Sequence, residues 1–358
     1  MRGFIRTFGR NLFAAAFVVA TILAAGAGQA AERRLIVTDS ADYPGFDYST
    51  VRDVDLAACE AACLGDPTCR AFTFNTAAGW CFLKSDFAAL AATPGAVAGR
   101  VVTAVDLTPS LERQRLGELD FLPESAIDES RVLTGELARR YPSDGASYAD
   151  LRSAGGVSYR GGQYDDAARY FGQALALASE DVASWLDYAT ASLGRNPDDY
   201  SDRMSAATDA TAGAINAYLR AEADADRAEA LSVVGAALAK REIWREAIRA
   251  YRASLAIREV ARVRQAYDRL VAEHGFRILS HEVEADSAVP QVCIRFSDSL
   301  ATARPDLADF VTVEGGDGLA IEPQANQICI NGIEHGSRYI VRLRAGLPAA
   351  DGETLPYP

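Results

Sequence analysis

Residues 151–174 read LRSAGGVSYRGGQYDDAARYFGQA, and residues 231–254 read LSVVGAALAKREIWREAIRAYRAS. The second stretch repeats the first. Leu151, Gly155, Tyr159, Gly162, Tyr164, Ala167, Phe171 and Ala174 occur in the same order as Leu231, Gly235, Leu238, Glu242, Trp244, Ala247, Tyr251 and Ser254. Apolar and small residues recur at helical spacing on either side of a polar turn, so each stretch predicts two antiparallel helices. Small residues stand where the two helices touch, and large ones fill the groove between them. Ala167 and Ala247 are 80 residues apart, one period of 34 and one of 46. A middle unit, starting near Trp185 and holding the Asn196-Pro197 turn, therefore carries about twelve extra residues in helical register.

Both units resemble the tetratricopeptide repeat, and the Ala-rich helical region spans residues 146–273. The resemblance implies a stack whose concave face grips a peptide or a partner domain. Two or three units are near the minimum for a self-standing solenoid. A rigid spacer is the favoured reading, since no cluster of groove-facing polar residues stands out. Arg241, Arg245, Arg249 and Arg252 recur at helical spacing with Glu242 and Glu246 between them. That pattern predicts a solvated, ion-paired face.

Outward toward the N-terminus, residues 1–30 form a signal peptide. Arg2, Arg6 and Arg10 make a positive start, and Leu12 to Ala25 (LFAAAFVVATILAA) is apolar but short for a membrane span. Small residues at Gly28 and Ala30 place the cleavage between Ala30 and Ala31. The protein is expected to be exported, periplasmic or extracellular, and to meet a membrane only through this segment if it stays uncleaved. Over 358 residues the net charge is −13 with 24% charged and 49% hydrophobic residues and mean hydropathy −0.03. Loss of the three arginines takes it to −16. Such an acidic chain has no basic excess with which to displace counterions from a phosphate backbone, which excludes nucleic-acid binding.

Export decides how the six cysteines are read: an even number in an oxidising compartment favours disulfides. Cys59, Cys63, Cys69 and Cys81 form one cluster, and Cys293 and Cys329 a distant pair, so two separate domains are stapled. Residues 33–106 alternate short apolar runs with Gly, Pro, Asp and Asn, which predicts short strands and turns. One helix interrupts them, N-capped by Asp55, with Leu56, Cys59 and Cys63 on one face. Four cysteines leave three connectivities open.

The string from Asp42 to Tyr48 (DYPGFDY), the spacing Cys59-x3-Cys63-x5-Cys69, then Ala71 to Asn75 (AFTFN) and Cys81 to Lys84 (CFLK) resemble a PAN/apple domain. The resemblance implies the pairs Cys59–Cys81 and Cys63–Cys69, and a module that binds protein or carbohydrate without catalysis. Residues 107–145, punctuated by Pro109, Pro123 and Pro142, are expected to be a linker with short helices.

On the C-terminal side, residues 274–358 change period. Val283, Val292 to Phe296, Phe310 to Val313, Ile328 to Ile330 and Tyr339 to Leu343 are short alternating segments, which predicts an antiparallel β-sandwich. Cys293 alternates with Val292 and Ile294, and Cys329 with Ile328 and Ile330. Both sulfurs therefore leave the apolar face, where a cross-strand bridge Cys293–Cys329 can form.

His274-Gly275-Phe276-Arg277, the run from Pro290 to Ser297 (PQVCIRFS), the run from Ile328 to Tyr339 (ICINGIEHGSRY), Gly346-Leu347-Pro348 and Trp244 to Leu255 (WREAIRAYRASL) together resemble the N-terminal part of bacterial alpha-2-macroglobulin family proteins. The fold class expected is thus multidomain α+β: a stapled apple module, tetratricopeptide-like helices, then a macroglobulin-like sandwich. The family implies a large exported protease trap with a bait region and, in many members, a thioester. No Cys-Gly-Glu-Gln or Cys-Leu-Glu-Gln string occurs and no bait region is identifiable. The chain is therefore expected to be a fragment or truncated relative holding recognition and placement modules, with the sandwich cut short.

No catalytic site is expected. His274, His281 and His335 lie in loop-like contexts, with solvent-facing turns the default for His274 and His335, and no Gly-x-Ser-x-Gly elbow occurs. Asp165/Asp166 and Asp198/Asp199 read as helix-start or turn residues, and Glu222 to Asp226 as a solvated helix segment. No P-loop Lys-Ser/Thr follows the glycine pairs, and no cofactor or metal is expected. The sequence thus predicts the recognition region of an endopeptidase inhibitor, or a stand-alone adaptor. Its expected partners are a target protease or envelope proteins, with carbohydrate at the apple domain.

Overall fold

The computed structural model describes residues 33–102, 109–286, 289–301, 307–316 and 318–356. The expected signal peptide, residues 1–30, and the expected cleavage between Ala30 and Ala31 lie outside the described residues. From Arg33 onward the chain forms one compact unit with three parts.

The N-terminal part is a five-stranded antiparallel sheet with one helix. Strands β1 (Arg34–Asp42), β2 (Asp47–Val51), β3 (Ala71–Asn75), β4 (Trp80–Lys84) and β5 (Ala91–Val102) run in the order β1-β5-β3-β4-β2. Helix α1 (Leu56–Gly65) begins at Asp55, whose carboxylate accepts from the Ala58 N–H at 2.8 Å. The far end of α1 is closed by Arg33, whose guanidinium donates to the carbonyls of Leu64, Asp66 and Cys69 at 3.1, 2.9 and 2.6 Å. Cys59 is bonded to Cys81 on β4, and Cys63 to Cys69 just past the helix. With Phe72, Phe74, Leu83 and Val97 these four sulfurs make a small core under α1. A core this thin draws much of its stability from such bridges, about 2–4 kcal/mol each. On the other face the buried Lys84 ammonium donates to Gly45 O at 3.0 Å and to Asp47 at 2.6 Å, fixing the loop before β2.

Nine helices make the middle part: α2 (Pro109–Gly117), α3 (Glu124–Arg140), α4 (Tyr148–Arg160), α5 (Tyr164–Leu177), α6 (Val182–Gly194), α7 (Tyr200–Arg220), α8 (Asp224–Lys240), α9 (Trp244–Ile257) and α10 (Ala261–His274). Successive hairpins α4/α5, α6/α7 and α8/α9 stack around one core. Glycine seats an aromatic ring in each hairpin. A Cβ at Gly155 would lie 2.6 Å from the Phe171 ring, one at Gly235 2.9 Å from Tyr251, and one at Gly213 2.8 Å from Tyr188. The surplus between Ala167 and Ala247 lies in helix length, in the middle unit and in the first helix of the third: α7 has 21 residues against 14 in α5, and α8 has 17 against 13 in α4.

Within the stretch expected to be a linker with short helices, residues 109–145 instead hold a long, packed helix. Helix α3 runs for 17 residues and buries Ala126, Ser130, Leu133 and Leu137 on one stripe, the spacing of a core-facing helix. It packs on α7 and α5, and polar contacts fix its position. Thr134 donates to Asn216 Oδ1 at 2.8 Å, Arg241 forks onto Glu129 at 2.9 Å, and Arg140 pairs with buried Asp209 at 2.5 Å.

The C-terminal part holds β6 (Ile278–Glu284), β7 (Gln291–Phe296), β8 (Val311–Glu314), β9 (Ala320–Gln324), β10 (Gln327–Asn331) and β11 (Ile340–Leu343). A four-stranded antiparallel sheet, β6-β7-β10-β9, faces a two-stranded ribbon, β11-β8. Between them lie Phe276, Ile294, Phe296, Leu300, Val311, Ile328, Leu347, Ala349 and Leu355. Cys293 and Cys329 are direct cross-strand partners and are bonded, on the face away from this core; both are nonetheless buried.

Candidate functional site

Three surfaces compete for a functional role, and each is best read from the groups it leaves unspent. The first is the outer margin of the N-terminal sheet. Period-2 alternation along β4 sends Cys81 and Leu83 under α1 and turns Trp80 and Phe82 to the opposite face. Trp80 stays 37% exposed, with the Arg52 guanidinium 4.6 Å above its ring and the Phe82 ring at its edge. Tyr48 on the neighbouring edge strand is 39% exposed and donates to Asp66 at 2.7 Å. Burial, and then the Asp66 carboxylate, push the Tyr48 hydroxyl up to about 12, while the same hydrogen bond holds the Asp66 carboxyl below its usual range. Aromatic faces beside an arginine can stack on a sugar or seat a peptide side chain.

The second surface is the seam between sheet and helices. Phe87 stacks on Tyr148 at 5.1 Å, and Arg100 forks onto Glu180. Burial opposes the Arg100 charge, but Glu180 outweighs it and holds the guanidinium above its ordinary range. Burial and the Asp181 carboxylate push the Tyr148 hydroxyl up to about 12. A cavity of about 240 Å³ remains here, lined by Arg33, Arg70, Phe87, Arg100, Tyr148 and Glu180.

The third is the open row of first helices. Arg152 of α4 pairs with Asp187 of α6 at 2.7 Å, Lys240 of α8 donates to Leu193 O of α6 at 2.6 Å, and Arg262 of α10 pairs with Glu229 of α8. These contacts stitch successive hairpins, and two of them are ion pairs. Burial holds the Asp187 carboxyl above its usual range, only partly offset by Arg152. Val157, 59% exposed, and Tyr159 stand on α4.

The arginine row of α9 is not a self-paired face. Its partners come from the C-terminal part: Arg245 reaches Glu353 at 2.9 Å and also pairs with Asp298, Arg249 reaches Asp351 at 3.5 Å, and Arg252 lies 3.8 Å from Glu353. Glu353 is buried and also accepts the Phe276 N–H at 2.8 Å. Glu242 and Glu246 are neighbours in sequence only; a charge run that meets another domain looks the same from sequence as one that meets water.

The three histidines are scattered. His274 ends α10 and stacks on Trp244 at 3.9 Å, so it is not a free turn residue. His281 lies on β6, and His335 lines a cavity of the C-terminal part. Asp165 and Asp166 open α5, Asp199 caps α7 by accepting the Ser201 N–H at 2.7 Å, and Asp224 and Asp226 open α8. Among the described residues no group of His, Cys, Asp or Glu side chains could hold a metal ion, and no helix is long and apolar enough to cross a membrane. Trp80 with Arg52, the seam pair Arg100–Glu180 and the Glu353 anchor were missed by the sequence reading. Only the first had a signal, a tryptophan beside Cys81 on a strand whose alternation turns it outward.

Residues 41–84 match the PAN domain family. The matched span ends on Lys84, the residue that holds the 42–47 loop. Among solved structures, the TPR domain of Arabidopsis OM64 is similar at 17% identity with a TM-score of 0.27, covering 35% of this chain and 95% of that one. No curated protein sequence matches the chain.

Proposed function

We propose that this chain is the non-catalytic recognition and placement region of an exported alpha-2-macroglobulin-like endopeptidase inhibitor. In this reading the PAN module takes a protein or a carbohydrate at its exposed aromatic margin, and the helical array holds that module at a fixed distance from a macroglobulin-like β-domain. One observation carries the reading. Each flanking module is joined to the array by a carboxylate–arginine pair with a buried member, Glu180–Arg100 at one end and Glu353–Arg245 at the other. A truncated partner in such a pair leaves an uncompensated charge, so both joints resist rearrangement. Fixed joints suit a placement device, and the three disulfides suit the oxidising compartment, periplasmic or extracellular, in which such an inhibitor works.

A stand-alone binding adaptor is the second reading. It is favoured by the apolar core of the C-terminal part, where Leu347, Ala349 and Leu355 are buried with Phe276 and Phe296. The two readings differ in the size of the native product. A non-reducing immunoblot with antibody to residues 33–106, followed by intact mass, is expected to find a species many times larger than 38.2 kDa. A product slightly below that mass would overturn the inhibitor reading and leave the adaptor.

A further inference from the structure

Among the described strands, β6 is the one with no residue even partly buried. All seven of its residues are exposed, it lies at the edge of its sheet, and among the described residues no strand pairs with its outer side. Edge strands are commonly blunted by lysine, proline or a bulge. The opposite edge, β9, carries Pro323, which cannot donate to an added strand. β6 has neither lysine nor proline. Its one bulge lies at its start, between Ile278 and Ser280, and Ser280–Glu284 run in regular register with β7.

The two faces of that regular segment differ. His281 and Val283 lie opposite Ile294 and Val292, on the core side. Val283 is 56% exposed and borders a cavity of about 380 Å³ whose walls include Pro290, Val292, Ile333 and Tyr339. Apolar surface thus continues past the edge of the core, where Val283 stays exposed. Ser280, Glu282 and Glu284 lie on the other face, with Glu282 in the row Glu282–Cys293–Cys329–Glu322 that crosses the sheet. Glu284 accepts from Gln291 at 2.6 Å, and neither glutamate has an ion-pair partner among the described residues. Arg295, on that face, sits one strand further in, opposite Ser280.

We propose that β6 accepts, as an added strand, an extended segment of a partner protein in which apolar residues alternate with lysine or arginine. The main chain of the segment would complete the ladder. Its apolar side chains would cover Val283 and the cavity mouth, and its cations would meet Glu282 and Glu284. The pairing does not depend on whether the chain serves an inhibitor or an adaptor.

The test uses the mature 31–358 chain and blocked synthetic peptides. Acetyl-TKVKVKT-amide is expected to bind by calorimetry and to protect amides of residues 278–284 from hydrogen exchange. A scrambled peptide without the alternation, and acetyl-TEVEVET-amide, are expected to bind at least tenfold more weakly. The double variant Glu282→Lys/Glu284→Lys should reverse the preference between the two charged peptides, and Val283→Lys should weaken binding of the lysine peptide. All three positions are exposed, and circular dichroism checks that the variants fold. No binding at millimolar peptide, equal binding of the scrambled peptide, or a charge preference untouched by the double variant would each overturn the proposal. Concentration-dependent dimerisation abolished by Val283→Lys, in place of peptide binding, would reassign the edge to a second copy and overturn it as well.

Discussion

Tyr218 and Tyr148 show how single side chains report their surroundings. Tyr218 donates to Glu118 at 2.6 Å, and Tyr148 donates to Asp181 at 2.9 Å. Burial first, then the adjacent carboxylate, push each hydroxyl up to about 12 from a usual 10.0. The folded state therefore holds these protons more tightly than the unfolded chain does. The stability they supply is fully present below pH 10 and is lost as pH rises from 10 toward 12. Absorbance at 295 nm should show tyrosines still protonated at pH 11 that ionise with unfolding; all tyrosines titrating together near 10 would contradict this. At this scale the sequence was legible where partners are close. Asp55 reads as an N-cap because it needs only the N–H three residues on. The Tyr218–Glu118 pair spans 100 residues, and nothing local distinguishes either member from a surface residue.

Elements were legible in proportion to their periodicity. The hairpins α4/α5 and α8/α9 follow from small and large residues at fixed offsets, and the packing gives those offsets their reason: Gly155 and Gly235 are where rings of the partner helix press against bare backbone. Gly155→Ala would place a methyl group inside van der Waals contact with Phe171 and is expected to destabilise the protein by about 1–3 kcal/mol. Urea unfolding measures it, and a midpoint unchanged or raised would mean that the ring moves aside freely. Helix α3 was read as part of a linker because its buried stripe includes Ala126 and Ser130, residues that carry no hydrophobic signal. They are small because α3 lies close on α7, where Asn216 donates to the Ser130 carbonyl at 2.9 Å. β9 was missed for a related reason: Ile321 is its one large apolar residue, and Pro323 argues against a strand unless the strand is an edge.

For the whole molecule, sequence composition marked three regions and their order, but not how they meet. The seams are made by charges that sequence analysis assigns to solvent by default. Glu353→Ala would leave the Phe276 N–H and the Arg245 guanidinium without their shared acceptor. Arg245 keeps Asp298, so the main cost is the unsatisfied Phe276 N–H, about 1–3 kcal/mol. Faster hydrogen exchange should follow in residues 276–300 and 345–356, while the N-terminal module keeps its protection. Exchange unchanged in the C-terminal part would mean that the apolar core alone holds it in place.

All three disulfides lie in the outer modules; α2 to α10 contain no cysteine. The middle of the molecule can therefore reach its fold without an oxidant, whereas both ends must wait for one. A reductant is therefore expected to loosen the two ends while the helices between them keep their fold.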